Sequence, residues 1–119
     1  MFKLKVPIIF FGTQGWTLII YKWLSKIYCQ GFNKNYLPIW LQDSGYSTYY
    51  TGRLFNAHSV DNWNLPHPAG WTSSGFLLDP NTYQYLNATF QKNSNPPVSY
   101  QGQYATDVLA EKAYVLLDE

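Results

Sequence analysis

The sequence predicts an α/β fold built from a short helix, strands, a long loop and a C-terminal helix. Apolar residues recur at helical spacing within 35–46, which indicates the short helix. The β-branched and aromatic residues that follow, at 46–51, indicate a strand. Apolar side chains again share one stripe of a helix over 106–119. These three patterns together favour a mixed fold over an all-helical or an all-β one.

Start and stop signals mark the short helix. Asn35 has a side chain suited to an N-cap, and Pro38 fits the first turn, where amide donors lack helical partners. Gly45 supplies the left-handed residue at which many helices end. The strand that follows is predicted to end at Gly52.

A long irregular segment is predicted over 54–80. Asn, Pro, Gly, Ser and His are dense there, and a segment of this length inside a compact protein is usually functional or poorly ordered. Trp63, Trp71 and Phe76 favour an ordered loop that packs through its aromatic side chains.

The rest of the chain is predicted to hold a strand, a turn and the second helix. The strand covers 82–91, with Leu86, Ala88 and Phe90 on one face, and the turn covers 93–97. Thr106 or Asp107 is the predicted N-cap of the helix. The apolar stripe of the helix consists of Val108, Leu109, Val115 and Leu116, with Lys112 inside it and Ala113 and Leu117 at its side. Lys112 disturbs the stripe little, because a lysine stem can lie along apolar surface.

The composition is aromatic and poor in charge. Of the 119 residues, 19% are aromatic and 13% are charged, and the charged share is about half the usual value. Such a chain is too aromatic for general disorder. Tyrosine and tryptophan favour half-wet surfaces and clefts, because their polar atoms need partners when buried.

Charge is unevenly distributed along the chain. Residues 1–34 contain five lysines and no acid, a net charge of +5. Residues 35–119 contain three basic residues against all seven acids, a net charge of −4. Nucleic-acid binding is not expected, because it requires a basic patch interleaved with aromatic residues.

The N-terminal segment, residues 1–28, differs from the rest. Lys3 and Lys5 precede an apolar run, as in a signal peptide, but no small-residue cleavage site follows. The run over 6–20 is too short and too interrupted for a membrane span, which needs about 20 mostly apolar residues. A buried strand, a turn and a second strand or a helix are therefore favoured, and a signal sequence or membrane anchor is the alternative.

The chain offers few residues for catalysis. Cys29 is the single cysteine, so the chain forms no internal disulfide and no cysteine zinc cluster. His58 and His67, with Asp61 between them, have a spacing that metal ligands can show, but residues of these types in Asn/Pro-rich loops are usually solvated turn formers. No metal site is predicted from them. Asn87 begins the sequon Asn87-Ala88-Thr89 and would be glycosylated in the secretory pathway.

Three stretches in order resemble the sulfatase family. The stretch LPIWLQDSGYSTYYTGRLFN resembles the family's second signature, Gly-Tyr-x-Thr followed by Gly-Lys and an aromatic or apolar pair. PAGWTSSGFLLDPNTYQYLNATF resembles the Pro-Gly-Trp loop and Tyr-rich strand of fungal arylsulfatases and related glucosamine-6-sulfatases, and QYATDVLAEKAYVLLDE resembles the family's Tyr-x-Thr-Asp helix. The resemblance covers residues 29–119 and leaves 1–28 unmatched.

The resemblance implies an alkaline-phosphatase-like α/β fold with a mixed central sheet. It also implies the hydrolysis of sulfate esters, either small molecules or sulfated glycans, and a place in the secretory pathway or outside the cell. In the intact family a formylglycine made from the cysteine of Cys-x-Pro-x-Arg is the nucleophile. A calcium ion held by Asp and Asn residues polarises the sulfate, and lysines and histidines bind the remaining oxygens.

By its place in the motif, Arg53 matches the family's sulfate-contacting lysine. Arginine keeps the positive charge and adds a planar fork that suits oxyanions, although it is bulkier than lysine. Gly52 would let the backbone turn so that the cation points inward. The alternative is that Arg53 is a surface cation after a strand.

Other family features are missing from these 119 residues. Cys29 is followed by Gln-Gly-Phe, so it does not match the formylglycine motif, and paired metal-binding aspartates do not occur near the N-terminus. We therefore assign no catalytic residue and no metal ligand, and expect no calcium to be bound by this chain alone. The expectation is a partial, catalytically incomplete sulfatase whose residues 1–28 come from a gene-model artefact. The alternatives are a non-catalytic remnant or binding module, and a small membrane-anchored protein.

Overall fold

Five strands, paired in chain order, form one mixed sheet. The computed structural model describes residues 5–8, 31–54, 58–64 and 67–119. Within them the strands are β1 (Lys5–Ile8), β2 (Ser47–Gly52), β3 (Ser73–Leu77), β4 (Asn87–Lys92) and β5 (Val98–Gln101). The first three strands run parallel, and β4 and β5 are antiparallel to their neighbours. β1 belongs to the unmatched segment 1–28, and it pairs with β2 throughout.

Helices accompany this sheet. The described α-helices are α1 (Leu37–Asp43) and α2 (Ala105–Asp118), and short 3-10 turns lie at Phe32–Lys34 and Asn81–Tyr83. A mixed sheet with helices confirms the α/β class. The short helix, the 46–51 strand and the C-terminal helix are all present at their predicted places.

The two faces of the sheet are covered by different parts of the chain. On one side, the loop face, Tyr50, Phe76 and Leu78 form a buried cluster. The loop side chains packed on this cluster are Leu54, Val60, Trp63 and Trp71. On the other side, the helix face, Ala88 and Phe90 pack against Val108 of α2. Side chains alternate between the faces of a strand, so β3 and β4 contribute to both layers.

The end of α1 agrees with the prediction, but its beginning does not. The Tyr46 amide donates to the Leu41 carbonyl at 3.0 Å, and the Gly45 amide donates to the Gln42 carbonyl at 2.9 Å. This pair of bonds is a Schellman motif with Gly45 in the left-handed position. The N-cap is Tyr36, not Asn35. The Asn35 side chain instead accepts a hydrogen bond from Trp40 Nε1 at 2.8 Å.

The segment 54–80 is not irregular throughout, because it contains β3. Ser73 and Ser74 are poor strand formers, yet both are buried here. The sequence of β3, SSGFL, does not alternate apolar and polar residues, so it did not indicate a strand. A Cβ on Gly75 would lie 3.3 Å from Thr51 Oγ1 and 3.6 Å from Lys112 Cδ. Little space is therefore left for a side chain at Gly75, where α2 passes over this strand. The predicted aromatic packing of the loop is confirmed, since Trp63 and Trp71 pack against the buried cluster that contains Phe76.

The strand predicted over 82–91 begins later, at Asn87. The residues before it form the 3-10 turn Asn81–Tyr83, which closes through a bond from the Gln84 amide to the Asn81 carbonyl at 3.1 Å. Leu86 consequently lies in a turn and is 58% exposed, so its predicted place on the buried face is wrong. Ala88 and Phe90 are buried as predicted.

The turn predicted at 93–97 is confirmed and leads into β5, which the sequence did not predict. Among the described strands, β5 is an edge strand, and most of its side chains are exposed. Its sequence therefore needs no alternation of apolar and polar residues.

The second helix begins at Ala105, and neither Thr106 nor Asp107 is its N-cap. Tyr104 is the N-cap and provides no side-chain hydrogen bond. The Ala105 amide donates instead to the Tyr85 carbonyl at 2.6 Å, so the preceding turn satisfies one of the open donors of the helix.

The apolar stripe of α2 is only partly buried. Val108 and Leu116 are buried, whereas Val115 is 47% exposed. Lys112 extends along the sheet as predicted, with its Nζ donating to Tyr100 Oη at 2.7 Å. The same ammonium group lies 5.1 Å from the centre of the Phe90 ring, a cation–π contact.

Among the residues that the structure describes, no helix combines the length and apolarity needed to cross a membrane. Apart from β1, the segment 1–28, for which a signal sequence or anchor was the alternative, lies outside the described residues, and so does Cys29.

A substitution of Gly70 tests the close contact between the loop and α1. Its φ is +88°, and a Cβ there would lie 2.9 Å from the Ile39 amide nitrogen and from Pro38 Cβ. We expect Gly70→Ala to lower the free energy of unfolding by about 2–4 kcal/mol, from the left-handed backbone and the overlap together. Gly102→Ala is the matched control, since φ is +81° there and no atom lies within 4 Å. Urea denaturation should show a loss of only about 1–2 kcal/mol for Gly102→Ala. Equal losses would contradict the close approach.

Candidate functional site

The carboxyl ends of β1, β2 and β3 meet at one edge of the sheet because these strands are parallel. Ligands of open α/β sheets bind at such edges. Arg53 comes directly after β2, and Asp79 lies two residues beyond β3. We call the cluster of Arg53, Asp79, Thr82 and Tyr83 the carboxyl-edge site.

Local backbone structure positions Arg53. Gly52 has a φ of +122°, which an L-residue with a side chain rarely adopts, so the chain can turn sharply at the end of β2. The Tyr50 hydroxyl then donates to the Arg53 carbonyl at 2.6 Å. Burial raises the pKa of Tyr50 to about 12, which keeps this hydroxyl protonated as a donor.

The guanidinium of Arg53 contacts two oxygen acceptors. Its Nη2 lies 3.1 Å from Asp79 Oδ2, and its Nη1 donates to the hydroxyl of Tyr83. The Tyr83 ring also faces the guanidinium, with Cζ 5.1 Å from the ring centre. Only 14% of the Arg53 side chain is exposed. Its Nε is buried and has no hydrogen-bond partner among the described residues.

Asp79 is held from several directions. Its amide donates to the His58 carbonyl at 2.8 Å, and its carbonyl accepts from the Val60 amide at 3.0 Å. The Thr82 hydroxyl donates to Oδ1 at 2.6 Å while Oδ2 contacts Arg53. Both carboxylate oxygens are therefore bonded, and the charge of this carboxylate offsets that of Arg53.

Two imidazoles pack on Phe76 behind this pair. The ring centres of His58 and His67 lie 5.6 Å and 5.2 Å from that of Phe76. Burial lowers the pKa of His58 to about 4, and His67 lowers this pKa further while Asp79 opposes the shift. Burial also lowers the pKa of His67, whose Nε2 lies 3.3 Å from Ser74 Oγ. Both imidazoles are thus neutral at neutral pH. The expectation of solvated turn formers is wrong for His58, which is buried, while His67 is half-buried.

The described residues contain no group of three or more His, Cys, Asp or Glu side chains that could hold a metal, and His58, His67 and Asp61 form no such group. No residue of this chain is therefore assigned as a calcium ligand.

A cleft of about 370 Å³ adjoins the carboxyl-edge site. Tyr83 and Thr82 line it from one side, and the first turns of α2 line it from the other. Tyr83 thus touches both the guanidinium and the cleft.

Arg53 and Asn87, the two site residues that the sequence predicted, lie in different parts of the structure. Arg53 is at the carboxyl-edge site, whereas Asn87 bonds with neighbouring turns and strands: its Nδ2 donates to Gln84 Oε1 and its Oδ1 accepts from the Ser99 hydroxyl, each at 3.1 Å. Glycosylation of Asn87 stays a prediction, and so does the sulfate-binding role of Arg53.

Sequence reasoning missed Asp79 and Tyr83. The strand before them was not recognised, so nothing placed them at the same edge as Arg53. The available signal was the run Asp79-Pro80-Asn81-Thr82, which is rich in turn formers and directly follows an apolar pair.

Comparisons with known proteins point to one family. The chain is 46% identical to an arylsulfatase of Volvox carteri over 92 residues, which are 77% of this chain and 13% of the relative. It is 42% identical to an arylsulfatase of Chlamydomonas reinhardtii over 82 residues, 69% of this chain and 12% of the relative. No protein-family model matches the chain, and no solved structure matches it. The chain thus spans about an eighth of the length of these relatives, and it resembles sulfatases over most of its own length.

His58 makes the stability of the fold sensitive to mild acid. Its folded pKa of about 4 is below the unfolded value of 6.5, so between these pH values only the unfolded chain binds the proton. The free energy of unfolding should fall by roughly 3 kcal/mol as pH drops through that window. His58→Gln should flatten this part of a pH series of urea denaturations. His67→Gln is the comparison and should flatten it less, because His67 is only half-buried. The same slope in wild type and His58→Gln would contradict the burial of a neutral imidazole.

Proposed function

We propose that this chain forms part of a sulfatase, a hydrolase of sulfate esters, with an alkaline-phosphatase-like fold around its mixed sheet. The observation that carries the proposal is the place of Arg53, a cation turned by Gly52 at the carboxyl edge of parallel strands. It lies in the segment that resembles the family's sulfate-contacting signature. The identity to two algal arylsulfatases supports the same function class.

The chemistry of the proposal requires a fixed cation. Negative charge develops on the oxygens of a sulfate ester as its bond to the leaving group breaks, and a positioned cation lowers the energy of that state. The planar fork of Arg53 suits two such oxygens. The adjoining cleft of about 370 Å³, lined by Tyr83 and α2, has room for part of the organic group of an ester. We infer a sulfated small molecule or a sulfated glycan as the substrate class.

We further propose that the chain alone does not turn over substrate. The motif Cys-x-Pro-x-Arg is absent from its 119 residues, and we assign neither a nucleophile nor a calcium ligand to it. In this proposal Arg53 binds the sulfate, while calcium and the formylglycine nucleophile belong to parts of an intact sulfatase that these residues do not supply.

A non-catalytic binding module is the second candidate. The observation that favours it is the engagement of Arg53, whose guanidinium already contacts Asp79 and Tyr83. A remnant that has lost its chemistry could keep this arrangement for stability alone.

The sulfatase-like region of the proposal is residues 29–119, and Asn87 is its glycosylation site if the chain enters the secretory pathway. Residues 1–28 are proposed to have a separate origin. β1 nevertheless pairs with β2, so this segment would supply one strand of the sheet.

Exchange of Arg53 tests the binding role. Arg53→Met should weaken binding of inorganic sulfate at least about tenfold, because a charged hydrogen bond is worth roughly 1.5–3 kcal/mol. Arg53→Lys should retain most of the affinity, since it keeps the charge. Lys92→Met is the matched control, because Lys92 pairs with Glu119 on an exposed surface. Isothermal titration at constant ionic strength provides the affinities. If Arg53→Met and Lys92→Met bind sulfate equally, Arg53 is not a sulfate ligand.

An activity assay tests the incompleteness. The purified chain should release no aryl alcohol from an aryl sulfate, with or without calcium, because no residue of it is assigned as nucleophile. The control is the same protein preparation after heat denaturation. Turnover above that control would refute the incompleteness and leave the sulfatase assignment standing.

A further inference from the structure

Arg53 presents its fork to acceptors that resemble those of a sulfate. Nη2 contacts a carboxylate oxygen of Asp79 at 3.1 Å, and Nη1 contacts the hydroxyl oxygen of Tyr83. A sulfate ester would offer oxygens to the same two N–H groups. The Nε–H group is buried and finds no partner among the described residues. Nη1 and Nη2 each donate to one acceptor, and the carboxylate of Asp79 already offsets the charge of the guanidinium.

We propose that Asp79 is an internal competitor for the oxyanion on Arg53, and that a sulfate ester binds only when it displaces this carboxylate. The inference rests on the proposed function and names the residue that sets the affinity of the same site. It makes Asp79 a specificity-determining residue rather than a passive neighbour.

The displacement has to come from Arg53, because Asp79 is fixed. Asp79 is bonded through its amide and its carbonyl, and the Thr82 hydroxyl holds Oδ1 at 2.6 Å. The long arginine side chain has several rotatable bonds, and its hydrogen bonds among the described residues are made by Nη1 and Nη2. When a sulfate ester binds, the guanidinium of Arg53 therefore moves from the Asp79 carboxylate to the sulfate.

Charge makes Asp79 the stronger of the two competitors. Its carboxylate attracts the guanidinium, and it also repels an incoming sulfate, because like charges at contact distance raise each other's energy. Tyr83 is a neutral acceptor, and its ring centre lies 5.1 Å from Cζ of Arg53, a cation–π contact. Removing the charge of Asp79 should therefore strengthen sulfate binding, whereas loss of a purely structural ion pair would only weaken the protein.

Asp79→Asn is the test variant, because it keeps the shape of the side chain and removes its charge. Glu119→Gln is the matched control: it changes the net charge equally and removes the carboxylate of the exposed pair with Lys92. The probe is inorganic sulfate, exchanged for chloride at constant ionic strength. Arg53 is the single arginine of the chain, so its Nε–H gives one assignable NMR signal.

We expect Asp79→Asn to bind sulfate at least tenfold more tightly than the wild type, with the Arg53 Nε–H signal shifting during the titration. Glu119→Gln should bind as the wild type does. Adding Arg53→Met to Asp79→Asn should abolish the gain. Circular dichroism checks folding. If Asp79→Asn does not fold, Thr82→Val is the second variant: it removes a hydrogen bond from the Asp79 carboxylate and leaves the charge, so it should bind sulfate less tightly than the wild type, and a gain would overturn the competition.

Three other results of these titrations would contradict the proposal. Equal affinity of Asp79→Asn and wild type, with binding still lost in Arg53→Met, overturns the competition and leaves Arg53 as a sulfate ligand. An equal gain in Glu119→Gln overturns the competition, because the effect is then one of net charge. Binding that does not depend on Arg53 in any variant overturns the sulfate-binding role and the competition together.

Discussion

The structure depends on the burial of β3 between two layers. Phe76 points into the aromatic cluster under the loop, while Gly75 leaves room for α2 on the opposite face. β3 also changes the direction of the sheet, since it is parallel to β2 and antiparallel to β4. Packing on both faces fixes the register of a central strand. A slip by one residue would turn the large side chains of β3 toward α2 and the small ones toward the loop.

The carboxyl-edge site follows from that register. Gly52 pairs with Phe76, so the residue after β2 and the residues after β3 leave the sheet side by side. Arg53 and Asp79 meet there, although 26 positions separate them in the sequence. The bridge between Ser59 and Asp79 adds a second constraint, because it ties the loop to the same point of the sheet.

Local signals in the sequence predicted much of the fold and one residue of the site. The glycine stop of α1, the aromatic strand β2 and the stripe of α2 depend on residues close in sequence, and the structure contains all three. β3 escaped prediction because Ser73 and Ser74 are small and polar yet buried by their neighbours. Asp79 and Tyr83 escaped for a related reason, since a contact with Arg53 across two strands leaves no local pattern.

The pair of Arg53 and Asp79 has a consequence for selectivity. In the proposed competition, binding at this edge is an exchange of one anion for another, so its free energy is the difference between two similar attractions. A ligand carboxylate that offers two oxygens gains little over the carboxylate already present. A sulfate ester carries its single charge on three oxygens, so it gains over the carboxylate only through other donors that contact the third oxygen. If the competition holds, the Arg53–Asp79 ion pair is the reference state for the binding free energy of every ligand at this edge.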